Sequence, residues 1–598
     1  MFLPISKKDM KQRGWQQVDF VLVTGDAYVD HPSFGTAIIS RVLEQFGYKV
    51  AILAQPDWKS AEDFKRFGRP RLGFLINSGN VDSMVNHFSV FKHRRKRDDY
   101  SPGGEAGKRP DRAVIVYSNR ARQAYRDVPI IIGGLEASLR RLGHYDYWED
   151  KIRRSILLDA KADILIYGMG ERAVVEIAQA LESGIEARDI GWIRGTCVQG
   201  SLSAADEETV ILPSFSEIQK DKERYGDSFA MQYRNNDAIS GKRLMEPYDG
   251  QRCIIQNPPQ PPLEREELDQ VYELSYEGEY HPVYEKEGGV PALREVKFSL
   301  VSSRGCFGGC SFCALTFHQG RELRSRSIES IVEEAKKLSC KKDFKGYIHD
   351  VGGPTANFRK PACQKQLRAG VCKNKDCLYP GPCGQMEVDH SEYLSLLRQL
   401  RELPGIKKVF IRSGIRYDYV MADRDRTFLR ELCKYHISGT LKVAPEHISE
   451  EVLAQMRKPE KAVFEAFCRA YKRTNEKLGM KQYLIPYLIS SHPGSRLEDA
   501  VELAVFLKEQ GFIPDQVQDF YPTPGTLSTC IYYTGRDPFT KEPVYTAKTM
   551  EEKRLQRALI HFHKPENREL VKEALKKVGR IDLAPVLLRQ KKRKGRKK

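Results

Sequence analysis

Residues 297–313 read KFSLVSSRGCFGGCSFC, an apolar run that passes directly into three cysteines spaced C-x3-C-x2-C. The strand signal covers Lys297–Ser302, and the loop after it is Arg304-Gly-Cys306-Phe-Gly-Gly-Cys310-Ser-Phe-Cys313. Its glycines tolerate positive φ and close backbone approach, so three thiolates can turn toward one inorganic centre. An iron–sulfur cluster ordinarily takes four cysteine ligands, and three leave one iron open to another molecule. The competing reading is a structural zinc held by Cys306, Cys310, Cys313 and His318. Zinc leaves the regular series that follows without a purpose.

That series sets the fold. Strand signals at 346–350, 408–412, 440–443, 483–489 and 516–520 alternate with helical periodicity at 328–338, 392–400, 426–434, 450–456, 464–477 and 497–509. Six βα steps predict a partial or complete parallel barrel, with its active site at the carboxyl ends of the strands. Upstream, strands at 18–23, 49–53, 71–76, 128–132 and 164–167 are separated by helices at 36–46, 112–125 and 173–181. That alternation predicts a flavodoxin-like or Rossmann-like parallel sheet. The rhythm is lost between 206 and 290, where PPQPP and YELSYEGEYHPVYEKEGG predict a partly ordered connector. The chain therefore reads as α/β: a first domain over 1–205, the connector over 206–290, a barrel over 291–565 with a Cys-rich insertion at 360–390, and a C-terminal extension over 566–598.

Composition narrows the classes. Of 13 cysteines, eight fall between 306 and 383, which in a cytosolic chain points to metal or redox chemistry before disulfides. With 40% hydrophobic residues the chain can bury real cores, so wholesale disorder is excluded. Runs such as Val128–Ile132 fall far short of the ~18 apolar residues that span a membrane. The start MFLPISKKDM has no apolar stretch with a cleavage site, so a cytoplasmic location and no membrane are expected. The net charge is +18, and Arg589–Lys598 carries eight of the basic residues. Such a tail is expected to be disordered and to contact RNA or ribosomes through counterion release. A second run, KHRRKR at Lys92–Arg97, reads as an exposed loop.

With Phe312 before its last cysteine, the loop after the first barrel strand resembles that of the radical S-adenosylmethionine (radical SAM) superfamily. Further on, Asp350-Val-Gly352-Gly353-Pro354 matches a Gly-Gly-Glu type turn, departing from it at Pro354. Ala444-Pro-Glu446-His447 and Met456-Arg457-Lys458-Pro459 resemble the fourth-strand segment of the methylthiotransferase-like branch. Ser491-His492-Pro493-Gly494-Ser495 and Tyr521-Pro-Thr-Pro-Gly525-Thr526 resemble the fifth and sixth strand turns. DAYVDHPSFGTAIISRVLE, PIIIGGLEASLRRLGHYDYWED and HKPEN extend the likeness over almost the whole chain, to the YgiQ family of radical SAM proteins.

The resemblance implies a [4Fe-4S] cluster on Cys306, Cys310 and Cys313. It implies reductive cleavage of S-adenosylmethionine to a 5′-deoxyadenosyl radical, with an electron donor such as flavodoxin or ferredoxin. It implies cofactor contacts at Gly352, Gly353, Pro354 and Glu446, and makes Glu446 and His447 the catalytic candidates; it names no substrate. Arg304 reads as a partner for the cluster's negative charge or as a surface salt bridge. The alternative function is a metal-stabilised RNA-binding protein without catalysis.

Other motifs are weaker. Cys363, Cys372, Cys377 and Cys383 share one irregular loop and are candidates for a second iron–sulfur cluster or a zinc, which would supply order the loop lacks. Asp30-His31-Pro-Ser-Phe-Gly35 is similar to the D-x-H-x-x-G loop of cobalamin-binding domains. Its histidine stands one position early, which argues against bound cobalamin. Gly168-Met-Gly170-Glu-Arg-Ala173 follows a late strand, so close helix packing is expected there in place of a dinucleotide.

Overall fold

The computed structural model describes residues 1–514 and 517–589. The apolar strands of the first domain form as expected: β1 Phe20–Thr24, β2 Val50–Ala54, β3 Gly73–Asn77, β4 Ile130–Ile132 and β5 Ile164–Ile166. They pair in parallel in the order β2-β1-β3-β4-β5, the flavodoxin-like arrangement. Alternation along β1 supplies both faces. Phe20 and Leu22 pack with Ile38, Val42, Val174 and Ile177 of helices Gly35–Gln45 and Glu171–Glu182. Val21 and Val23 pack on the other side with Val114, Tyr117 and Ala121 of helix Ala113–Ala124.

The sheet does not stop there. β6 Thr196–Ser201, β7 Val210–Ile211, β8 Leu244–Pro247 and β9 Arg252–Gln256 extend it to nine strands, in the order β7-β8-β9-β6-β5 at that end. The stretch expected to be a connector thus contributes three of the strands. They escape a periodicity reading because they are short, and β8, β9 and β6 are tied to one another antiparallel.

The barrel strands are β10 Ser299–Val301, β11 Tyr347–Ile348, β12 Asp350–Gly352, β13 Lys408–Val409, β14 Thr440–Glu446, β15 Tyr483–Ser490 and β16 Val517–Asp519. The second expected strand is divided: β12 pairs with β10 and β11 with β13, both in parallel. A single parallel bridge, Ile415 to Val443, links that half to the β14-β15-β16 sheet. Among the described residues β16 pairs only with β15, so the barrel is partial. Leu300, Val351, Val409, Val443 and Leu488 share one core with the outer helices. Helices Arg568–Lys577 and Ala584–Leu588 add Val571, Leu575 and Leu587 to that core, so this part of the expected C-terminal extension belongs to the barrel. The basic tail beyond Arg589 lies outside the described residues.

One buried ion pair joins the halves. Arg304, immediately before the cysteine loop, reaches back to Glu171 at the start of the helix after β5, and its Nε donates to Tyr272 Oη at 3.3 Å. Removing one partner of a buried pair costs about 3–5 kcal/mol, whereas replacing both by apolar groups is often neutral. Glu171→Ala should therefore lower the unfolding midpoint clearly, and Glu171→Leu with Arg304→Met should recover most of it. Equal midpoints for the single variant and wild type in calorimetry would show that this pair is not the joint.

Candidate active site around the cysteine loop

The loop is fixed from three directions. Ser311 N donates to Met456 O (3.1 Å) and Ser311 Oγ to Gln455 O (2.7 Å), fastening it to the end of helix Glu450–Met456. Ser528 N donates to Ser311 O (3.0 Å), and Ser528 Oγ lies 2.7 Å from His492 Nε2. His492 is buried and its pKa is pushed down to about 3 by that burial, so the ring is neutral. Its Nδ1 lies 2.8 Å from Pro493 O, and Ser528 Oγ also donates to Ser311 Oγ at 2.8 Å, so the ring and the two hydroxyls form one chain. On the third side Thr355 Oγ1 lies 3.3 Å from Cys306 Sγ and ties the loop to the turn after β12.

Arg416 supplies the charge. Its Nη1 donates to Cys310 Sγ (3.3 Å) and to Gly308 O (3.3 Å), while Nε and Nη2 grip Asp418 at 2.8 and 2.6 Å. Both residues of the pair are buried, and despite burial Arg416 holds the Asp418 carboxyl below its ordinary value. A Cβ at Gly308 would lie 2.8 Å from Arg416 Nη1 and 3.2 Å from Cys306 Sγ, so only glycine lets the guanidinium in. Burial lifts the Cys313 thiol to about 12, with Cys310, Cys306 and Glu446 adding to the rise. Cysteine sulfurs bind metal as thiolates, so a cation taken up at this loop displaces the thiol protons.

The other expected residues stand around this loop unequally. Glu446 ends β14 at a register irregularity, with φ +67. A non-glycine residue in that region is strained, and the Glu446 carboxylate interacts electrostatically with Cys313 and with Lys458. Burial raises its pKa above the ordinary value, against the pull of Lys458 and Arg416. Lys458 is 3% exposed and makes no ion pair among the described residues; the Tyr417 ring lies 5.9 Å from its ammonium. Sequence reading quoted this lysine only as part of a motif, because nothing in MRKP tells which of its two cations faces inward. Gly352 and Gly353 pack under Ser413 and Ser303, and a Cβ at Gly353 would meet Ser303 Oγ at 2.6 Å. Pro354 follows in the same turn. His447 is neutral, its pKa pushed down to about 3 by burial, and its Nδ1 accepts from Ser449 N at 3.1 Å.

Several expectations change. Arg304 is neither a cluster partner nor a surface residue, since its guanidinium is spent on Glu171; Arg416 takes the role at the cysteines. His318 lies toward Arg141, Glu171 and Arg304 on the first domain's side, away from the three cysteines, which removes the Cys3His zinc. Asp30 pairs internally with Arg41, and His31 Nδ1 accepts from Ser33 N. Lys92–Arg97 is exposed, with Arg94 paired to Asp111 and Arg97 to Asp99. Among the described residues no three His, Cys, Asp or Glu side chains stand together as a single metal ion requires, and this is equally so for Cys306, Cys310 and Cys313 and for Cys363, Cys372, Cys377 and Cys383. That loop is ordered by ordinary contacts: Val371 N donates to Asp237, Gln366 Nε2 to Arg321 O, and Leu378 is buried beside Phe307 and Phe358.

Residues 2–299 match the family described as Radical SAM N-terminal, 300–507 the radical SAM superfamily, and 515–586 a domain of unknown function, DUF3362. A UPF0313 protein of Clostridium perfringens (strain 13 / Type A) is 60% identical over 583 residues, covering 97% of this chain and 88% of the relative. The chain belongs to the UPF0313 family of radical SAM proteins. A UPF0313 protein of Clostridium botulinum (strain ATCC 19397 / Type A) is 56% identical, with 97% and 90% covered. Among solved structures, the radical SAM methyltransferase TsrM from Kitasatospora setae aligns with a TM-score of 0.47 at 15% identity, covering 86% of this chain and 76% of its own. The cobalamin-dependent radical SAM enzyme OxsB aligns at 0.45 and 10%, covering 85% and 54%. No helix among the described residues is long and apolar enough to cross a membrane.

Arg416 gives the site its first test. Lysine keeps the charge but loses the two-pronged grip on Asp418. After anaerobic reconstitution, Arg416→Lys should bind iron with a shifted reduction potential, and Arg416→Ala should bind substantially less iron. Unchanged iron and unchanged potential in both would detach Arg416 from the site.

Proposed function

We propose that this UPF0313 protein is a cytoplasmic enzyme that holds a [4Fe-4S] cluster on Cys306, Cys310 and Cys313 and cleaves S-adenosylmethionine reductively. The observation that carries the reading is the set of charges around one three-thiol loop: Arg416 on Cys310, and Glu446 with Lys458 beside Cys313. When bound, the reduced cluster supplies one electron to the sulfonium of S-adenosylmethionine, an electron drawn from a donor such as flavodoxin or ferredoxin. The chain's own part is binding and positioning. The Glu446 carboxylate, with the backbone of Gly352, Gly353 and Pro354, suits the amino group of a methionyl moiety. The Lys458 ammonium suits its carboxylate. Arg416 offsets the negative charge that four irons with three thiolates carry, and its bond to Asp418 keeps it from swinging away. Burial keeps His447 and His492 as uncharged rings.

The finer placement in the YgiQ family rests on the segments at 26–44, 129–150 and 563–567, and a core of the methylthiotransferase-like branch on the motifs at 444–447 and 456–459. The substrate is not assigned by these residues.

Two outcomes are expected. Cys306→Ala, Cys310→Ala and Cys313→Ala should each abolish the four-iron cluster and the release of 5′-deoxyadenosine; full iron content and wild-type release in any one of them would refute the ligand assignment. Glu446 must be ionised to accept from an ammonium, and its pKa is raised, so S-adenosylmethionine affinity should fall with falling pH above the 4.5 of an ordinary glutamate. Glu446→Gln should bind more weakly and without that acid limb. An unchanged limb in the variant would place the titrating group elsewhere.

A further inference from the structure

We propose that the cavity between the cysteine-rich loop and helix Lys222–Arg234 binds a nucleoside monophosphate unit, free or as the terminal nucleotide of a single strand. The cavity measures about 620 Å³, within the range of small-molecule sites. Tyr233, Arg234, Arg321, Tyr379, Arg457 and Phe539 give it its chemistry.

Its charge is unbalanced in a particular way. Arg321 and Arg457 share a single carboxylate, Asp376, at 2.9 and 3.1 Å, so the trio keeps one positive charge. Arg321 is 7% exposed, and its buried Nε donates to nothing among the described residues. Arg234 makes no ion pair there and lies over Phe539 at 5.5 Å. Lys373 adds a further cation at the rim. Asp537, the other acid of the lining, is occupied in accepting from Phe539 N and Thr540 N. A buried guanidinium with an unspent in-plane donor, beside two further arginines, offers the forked donors that pairs of phosphate oxygens take up.

The aromatic side completes the argument. Arg457 lies 5.5 Å from the Tyr233 and Phe539 rings, and Arg321 5.8 Å from Tyr233, within cation–π reach of them. Tyr379 also faces the cavity, and its ring has no ring or cation partner among the described residues. A half-exposed phenol ring beside a phosphate-selective cluster is a stacking platform for a base.

The cavity is adjacent to the reaction centre and distinct from it. Asp376 Oδ1 stands 3.2 Å from where a Gly309 Cβ would lie, so the cavity floor rests on the cysteine loop. Arg457 faces this cavity while its neighbour Lys458 faces Glu446. The site is therefore an anchor for a part of a ligand that does not react, and it stands whether or not the proposed cleavage does.

The test uses the full-length, anaerobically purified protein. Binding of AMP, inorganic phosphate and 5′-phosphorylated hexa-adenylate is measured by calorimetry at low and moderate salt. AMP should bind saturably and more tightly than phosphate. Arg234→Ala and Tyr379→Ala, both at accessible positions, should each weaken AMP at least fivefold, the lower bound of a lost base–aromatic stack. Asp376→Asn, which frees the two guanidiniums, should tighten it, and truncation after Leu588 should leave it unchanged. Tighter binding of the hexamer than of AMP, sensitive to the same substitutions, identifies a strand end as the source; equal binding identifies the free nucleotide. Failure of both AMP and the hexamer to bind overturns the proposal, as does binding indifferent to Arg234→Ala and Tyr379→Ala or abolished by loss of the tail.

Discussion

A guanidinium buried against a thiol is a demanding arrangement, and the centre of this protein is organised around one. Arg416 reaches Cys310 only because Gly308 offers no side chain, and Asp418 compensates its buried charge by gripping its far edge. Asp418 in turn must be buried with it. The backbone of Arg416 is pinned as well: its N–H donates to Asn357 Oδ1 at 2.9 Å, just beyond the Gly-Gly turn. One ion pair thus couples the cysteine loop to the turns after β12 and β13. A lone buried charge would cost several kcal/mol, so the pair and the loop persist together.

The first domain acts on this centre through packing and through buried polar contacts. Arg304 to Glu171 is one. Another is a tyrosine-rich seam in which Lys553 Nζ donates to Tyr147 Oη (3.3 Å) and Tyr532 Oη (3.0 Å), with Tyr145 stacked on Tyr533. Burial presses the Lys553 pKa down to about 8, so the seam accepts an amine that is easily neutralised. These contacts cover one side of an incomplete barrel. A partial barrel leaves its open edge to be filled, and here the nine-stranded domain and the C-terminal helices fill it. A shielded centre is what chemistry with an indiscriminate radical requires.

Legibility followed periodicity. β1, β5, β14 and β15 announce themselves as apolar strands, and the helices between them carry a one-sided apolar stripe, so the α/β class and a barrel, partial or complete, follow from spacing. The three-cysteine loop was legible because glycine and cysteine at fixed offsets have few other uses. What failed to show was long-range. The 210–256 strands are too short to carry a pattern, and the antiparallel pairing that holds them is invisible in a local window. Arg304 was read for its position beside the cysteines, but a side chain that long is aimed by its partner, and Glu171 lies 133 residues away. Arg416 and Lys458 were missed as site residues for the same reason, since a charged residue near a strand end carries no local mark of facing inward. In the Cys363–Cys383 loop the cysteine count is plain in the sequence, while the contacts of Val371, Gln366 and Leu378 that also tie the loop down are not.

The central claim is that a three-cysteine loop presents an open iron to a methionyl group held by Glu446 and Lys458. Electron paramagnetic resonance of the reduced, reconstituted protein, recorded with and without S-adenosylmethionine, tests it most directly. The account predicts the spectrum of a single reduced four-iron centre whose g-values shift when the molecule is added. Hyperfine coupling to a 15N label in its amino group should report that group at the iron. A reduced cluster whose spectrum is indifferent to saturating S-adenosylmethionine, or a protein that takes up zinc and no iron under the same conditions, would contradict it.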